Sequence, residues 1–95
     1  MSKRDAYKQK ADAMLEEWEN KVESLKIKAR AADADAKIVY YDKIDDLQAQ
    51  KSAVEERLND LTEAGETAWE EIAHGIDNAL TDLDKSTHSA IQQFK

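Results

Sequence analysis

A chain of 95 residues with net charge −7, no cysteine, no proline and two glycines has room for one small domain. The missing cysteine excludes disulfides, thiolate chemistry and the common structural zinc sites, and no apolar run approaches membrane-spanning length. Ala, Leu, Glu, Lys, Gln and Asp supply much of the chain, a composition that belongs to long helices.

Residues 1–30 carry eight basic and six acidic side chains, and residues 31–95 carry six and fifteen. An acidic body repels phosphate backbones, so nucleic acid is not an expected partner. A basic first third beside an acidic remainder suggests that the two pack against each other, within one chain or between two. No apolar run follows the basic residues of the N-terminus, so a soluble, cytoplasmic protein is expected.

A helix is predicted from about residue 3, with Ser2 placed to cap it and Asp5 placed for the N-terminal dipole. Its apolar positions recur every eleven residues: Met14, Leu25, Ala36, Leu47 and Leu58 share one column, and Trp18, Ala29 and Tyr40 another. Val22, Ile44 and Val54 fill the same face. Nothing between residues 3 and 60 stops the helix, so one long helix to about residue 61 is expected. Residues 31–36 form an alanine-rich waist with Asp33 and Asp35, where a hinge is the alternative. Ile38, Val39, Tyr40, Tyr41 and Ile44 then make the broadest apolar surface of the chain, too broad for one narrow seam.

Gly65 and the Thr67-Ala-Trp-Glu70 capping-box pattern predict a turn at about 62–67. An unbroken helix of about 140 Å is the alternative. From about residue 68 to 94 a second set of elevens runs, in step with Leu61. Leu61, Ile72, Leu83 and Phe94 share a column, as do Trp69, Leu80 and Ile91, and Ile76 lies on the same stripe. About 3.67 residues per turn corresponds to a stripe that runs straight or drifts right-handed. Gly75 falls on a small-residue flank, where a closely approaching helix would compensate an interior glycine.

The expected fold is therefore all-α: long amphipathic helices with eleven-residue periodicity, forming a helical hairpin or three-helix coiled-coil bundle in a single domain. With no Gly or Pro in the waist, an antiparallel dimer that exchanges N-terminal segments is the preferred way to complete it. The predicted packing and association face comprises Trp18, Val22, Leu25, Tyr40, Ile44, Leu47, Leu58, Leu61, Trp69, Ile72, Ile76, Leu80, Leu83, Ile91 and Phe94.

For chemistry the sequence offers little. Glu71 and His74 have the Glu-x-x-His spacing of di-iron bundles, but only one such pair exists, and His74 falls opposite the apolar stripe. His88 also reads as surface. Pairs such as Glu16-Glu17, Asp45-Asp46, Glu55-Glu56 and Glu70-Glu71 suit solvated helix faces rather than acid–base work in a cleft. No Gly-rich phosphate loop or nucleophile elbow is present. No catalysis, cofactor or metal is expected.

The run from Ala36 to Leu47, together with Ala68-Trp-Glu-Glu-Ile72 and the following Gly75, Ala79, Leu80 and Leu83, resembles a group of small, acidic, soluble bacterial coiled-coil proteins labelled as stress-response proteins of unknown mechanism. By pattern alone the elevens are similar to those of apolipoproteins and desiccation-protective helices. The resemblance implies a bacterial source and a link to stress, with no catalytic residues to transfer. The leading functional expectation is a non-enzymatic coiled-coil assembly or scaffold protein that forms a homodimer or higher homo-oligomer, with a stress-protective role. One alternative is a peripheral coat of a lipid or other hydrophobic surface, although the acidic flanks of the last helix would bind anionic bilayers poorly. Another is a partner-protein adaptor using Tyr41 and the acidic faces.

Overall fold

The computed structural model describes residues 2–94. Three helices follow one another: α1 (Lys3–Ala31), α2 (Ala34–Glu63) and α3 (Trp69–Gln93). They form an up-down-up bundle measuring 51 × 19 × 18 Å. Tyr7 reaches Ala73 and Trp18 reaches Thr87, so α1 and α3 run in the same direction. Residues Glu19 and Lys51 meet across the antiparallel α1–α2 pair.

The N-terminus starts as its residues dictate. Ser2 is extended, and its hydroxyl accepts from the Asp5 amide at 3.1 Å, satisfying one of the free donors of the first turn. At the waist the chain departs from the expected continuous helix. Only Ala32 and Asp33 separate α1 from α2, and both are extended. The Asp33 carboxylate accepts from the Ala36 amide at 2.9 Å. A good cap three residues before an amide can thus start a new helix without glycine or proline. Lys28 and Arg30 in the last turn of α1, and Asp35 in the first turn of α2, oppose the dipoles of the two ends. Because the waist bends, one chain supplies all three helices of the core, and segment exchange is not required to complete it.

The second connection falls where expected but uses different chemistry. Gly65 does not adopt positive φ, and the capping box is not formed. Helix α3 starts from Ala68 with no side-chain cap. Instead the Gly65 carbonyl accepts from the amides of both Ala68 and Trp69, at 3.1 and 3.3 Å, winding residues 66–68 into a turn that leads into the helix. Gly75 is also not a site of close approach, since a Cβ there would meet nothing within 4 Å.

Burial follows a seven-residue rhythm rather than an eleven-residue one. In α1 the buried residues are Ala11, Leu15, Trp18, Val22, Leu25 and Ala29; in α3 they are Ala73, Ile76, Leu80, Leu83, Thr87 and Ala90. Both sets step alternately by four and three. In α2, Ile44, Leu47, Val54, Leu58 and Leu61 are buried, and half-buried Tyr40 and Lys51 occupy the seam positions that complete the series. Steps of four, three and four add to eleven, so elevens join seam positions once and then slip. Trp69 and Leu80 both lie on the seam, while Ile91 falls one residue beyond buried Ala90. A seven-residue seam is the pattern of left-handed knobs-into-holes packing, which reverses the drift inferred from the elevens.

Candidate functional site

The predicted packing residues fall into two groups. Trp18, Val22, Leu25, Ile44, Leu47, Leu58, Leu61, Ile76, Leu80 and Leu83 are buried, whereas Tyr40, Trp69, Ile72, Ile91 and Phe94 are half-buried against them. All fifteen pack within a single chain. Met14, placed by its column on the apolar face, is instead exposed. It borders a shallow α1–α3 groove that includes Trp18, Leu80 and Leu83, with Lys21 and Asp84 at the rim.

Two polar residues in the core seam carry no apolar signature in the sequence. Thr87 is buried, its Oγ1 accepting from the Trp18 indole Nε1–H at 2.7 Å and donating to the Leu83 carbonyl at 2.7 Å. Lys51 lays its ammonium 5.8 Å from the Trp18 ring centroid and pairs with Glu19, with Glu55 one turn away at 3.9 Å. Its stem fills a seam position while its charge reaches the rim. The Glu19 hydrogen bond is the main cause that raises the Lys51 pKa, and burial opposes it. A step of four and then three from Leu47 to Val54 would have marked Lys51, and the same step from Leu83 to Ala90 would have marked Thr87.

The first third does lie beside the acidic remainder, but few direct ion pairs join them. Lys21 and Asp84 approach to 3.6 Å across α1 and α3, both well exposed, a geometry worth little in water. Tyr7 makes the firmer link. Its hydroxyl lies 2.9 Å from the Ala73 carbonyl and 2.7 Å from Asp77 Oδ1. Burial, followed by the Asp77 hydrogen bond and charge, pushes the phenol pKa well up. Arg4 donates to the Ala64 carbonyl at the end of α2, and Arg57 donates to the Gly75 carbonyl at 3.2 Å.

His74 and His88 are both exposed, and no group of three or more His, Cys, Asp or Glu residues gathers as a cation would require among the described residues. No described helix is long and apolar enough to cross a membrane. The buried polar side chains among the described residues all have hydrogen-bond partners, so none is held in reserve for a ligand.

What stands out is one end of the rod. Phe94 stacks on Tyr40 with ring centroids 3.8 Å apart, so α3 ends there while α1 and α2 continue to the Ala32–Asp33 turn. In and beside this overhang lie Ile27, Ile38, Val39 and Tyr41, four of the five large hydrophobic residues that are exposed among the described residues, with Ile27 at 57% and Ile38 at 63%. The sequence groups Ile38 to Tyr41 as a broad apolar surface; of these only Tyr40 lies on the α2 seam, so Ile38, Val39 and Tyr41 face away from it and stay exposed. No protein-family model matches the chain, and no curated protein or solved structure is significantly similar to it.

Proposed function

We propose that the protein is a non-enzymatic helical assembly and scaffold module that acts by self-association. The carrying observation is the concentration of exposed Ile27, Ile38, Val39 and Tyr41 near one turn of a bundle whose apolar seams are otherwise filled from within. Exposed aliphatic side chains gathered in one region mark an interaction surface, whereas scattered ones need no explanation. The resemblance to bacterial stress-response coiled coils adds a stress-protective role to this reading.

The coat of a lipid or other hydrophobic surface is the weaker proposal. It would require the closed core to open so that the α3 stripe could meet the surface. Light scattering over a wide concentration range tests the leading proposal. The mass should rise from that of one chain towards that of two or more; a single-chain mass at every concentration would overturn it. Circular dichroism with neutral and anionic vesicles tests the coat, which requires a gain of helix on lipid addition.

A further inference from the structure

We infer that the outward face of α2 is a docking surface for a basic, amphipathic helical segment of another protein, anchored at Ile38 and Tyr41. At about 100° per residue, the side chains within about 60° of Ile38 define the back of α2, the side turned away from its buried seam. That arc holds Tyr41 and the acidic residues Asp35, Asp42, Asp45, Glu56, Asp60 and Glu63, with no lysine or arginine among them. All of these side chains are exposed, Ile38 and Tyr41 included. None of the carboxylates has an ion-pair partner among the described residues. The nearest cations of α2, Lys37 and Arg57, lie about 100° round the helix, and Arg57 is already bonded to the Gly75 carbonyl.

A solvated helix face ordinarily mixes its charges, because opposite charges three or four residues apart support the helix and like charges oppose it. On the back of α2, Asp42 and Asp45 are three apart, Glu56 and Asp60 four, and Asp60 and Glu63 three, so every such pair repels. An external row of cations removes that repulsion. The exposed isoleucine and tyrosine among the carboxylates add an apolar anchor, which a face serving solubility alone does not need. The occupant is therefore both cationic and apolar. A second copy's α2 would bring carboxylate against carboxylate, and phosphate backbones and anionic bilayers are repelled. A helix lying alongside α2, with lysines or arginines flanking its apolar stripe, meets both requirements. This goes beyond self-association, since Ile27, on the outward side of α1, takes no part in it.

The test is binding of two fluorescein-labelled peptides of about 18 residues, or five helical turns, to the full-length protein by fluorescence anisotropy at low salt. One carries leucine and lysine at amphipathic helical spacing; in the other, serine replaces leucine at the same charge. The leucine peptide should bind at least about tenfold more tightly than the serine one. Ile38→Ser with Tyr41→Ser, and separately Asp42→Asn with Asp45→Asn, should each weaken it at least about tenfold. Glu16→Gln with Glu17→Gln, which removes the same charge from α1, should leave it within about twofold. All six positions are exposed, and circular dichroism melts establish that each variant folds. No binding of the leucine peptide, equal binding of both peptides, or equal losses in the two charge-removing variants would overturn the surface. Light scattering of the same proteins separates a second copy from a different partner. An Asp42/Asp45 variant that loses self-association but binds the peptide as wild type does would give this face to another copy. Wild type that binds the leucine peptide as predicted while remaining a single chain would remove the self-association reading and keep this one.

Discussion

The indole N–H of Trp18 and the hydroxyl of Thr87 meet at 2.7 Å in the core, joining α1 to α3 through a bond that solvent does not reach. The same hydroxyl donates to the Leu83 carbonyl, so both of its hydrogen-bonding roles are used. An unpaired indole N–H in an apolar core costs about 1–3 kcal/mol. Thr87→Val, which keeps the shape and removes the acceptor, should therefore destabilise the bundle by about that amount in urea unfolding. Trp18→Phe removes the donor, and the double variant should lose at least about 1 kcal/mol less than the sum of the single losses. Simple additivity would mean that the bond does not contribute.

The seven-residue seam ranks positions that the eleven-residue columns treat alike. Ile76 is fully buried, while Ile72, one residue before buried Ala73, is only half-buried. Ile76→Asp should cost about 3–5 kcal/mol, because its carboxylate has no water and no partner. Ile72→Asp can turn its carboxylate toward solvent and should cost clearly less. His74→Ala, on the exposed face, should stay within about 0.5 kcal/mol. Equal losses at Ile72 and Ile76 would contradict the seam.

These differences show what the sequence made legible. Helical periodicity identified ten residues that are now buried, including Trp18, Leu47, Leu61 and Leu83, because amphipathic spacing reports a buried face without needing its partner. Periods of seven and eleven are built from the same steps of four and three, so an eleven-residue column meets the seam at Trp69 and Leu80 before it slips at Ile91. Thr87 and Lys51 break the apolar pattern at seam positions, and they hide the shorter period from a reading based on hydrophobic residues alone. The waist was illegible for another reason. Alanine supports helix on both sides, and the break depends on a single capping contact from Asp33 to the Ala36 amide. Ile27 and Ile38 are exposed because each lies two residues from a seam position, Leu25 and Tyr40, and so on the far side of its helix.

That capping contact can be weighed directly. Asp33→Ala removes the acceptor and favours helix across the waist, so it should cost about 1 kcal/mol of bundle stability. Asp33→Asn retains a good cap and should cost a few tenths of that at most. Urea midpoints that are the same for the alanine variant and wild type would show that the turn is set by packing alone.

Gly75 lies inside α3 with open space where a side chain would go, and its carbonyl, which accepts from Arg57, is unaffected by substitution. Gly75→Ala should therefore stabilise the protein by about 0.4–1 kcal/mol, through lower entropy of the unfolded chain and higher helix propensity. The expectation of close helix approach predicts the opposite sign, so a lower melting temperature for Gly75→Ala would restore it.

High pH should loosen the bundle through two groups at its helix contacts. Burial and the Asp77 hydrogen bond raise the Tyr7 pKa above its ordinary value of 10.0, and the Glu19 hydrogen bond raises that of Lys51 above 10.5. Each folded-state pKa lies above the unfolded one, so each contribution is fully present below the unfolded value and is lost as pH rises toward the folded one. Unfolding free energy should thus fall as pH climbs above about 10, with the phenolate at Tyr7 facing the Asp77 carboxylate and the Ala73 carbonyl. Tyr7→Phe should cost about 0.5–1.5 kcal/mol near neutral pH and should lessen the alkaline loss, since the group that titrates is gone. The measurement is a series of urea titrations of wild type and Tyr7→Phe from neutral to alkaline pH. Curves that stay parallel throughout would show that Tyr7 does not couple the α1–α3 contact to ionisation.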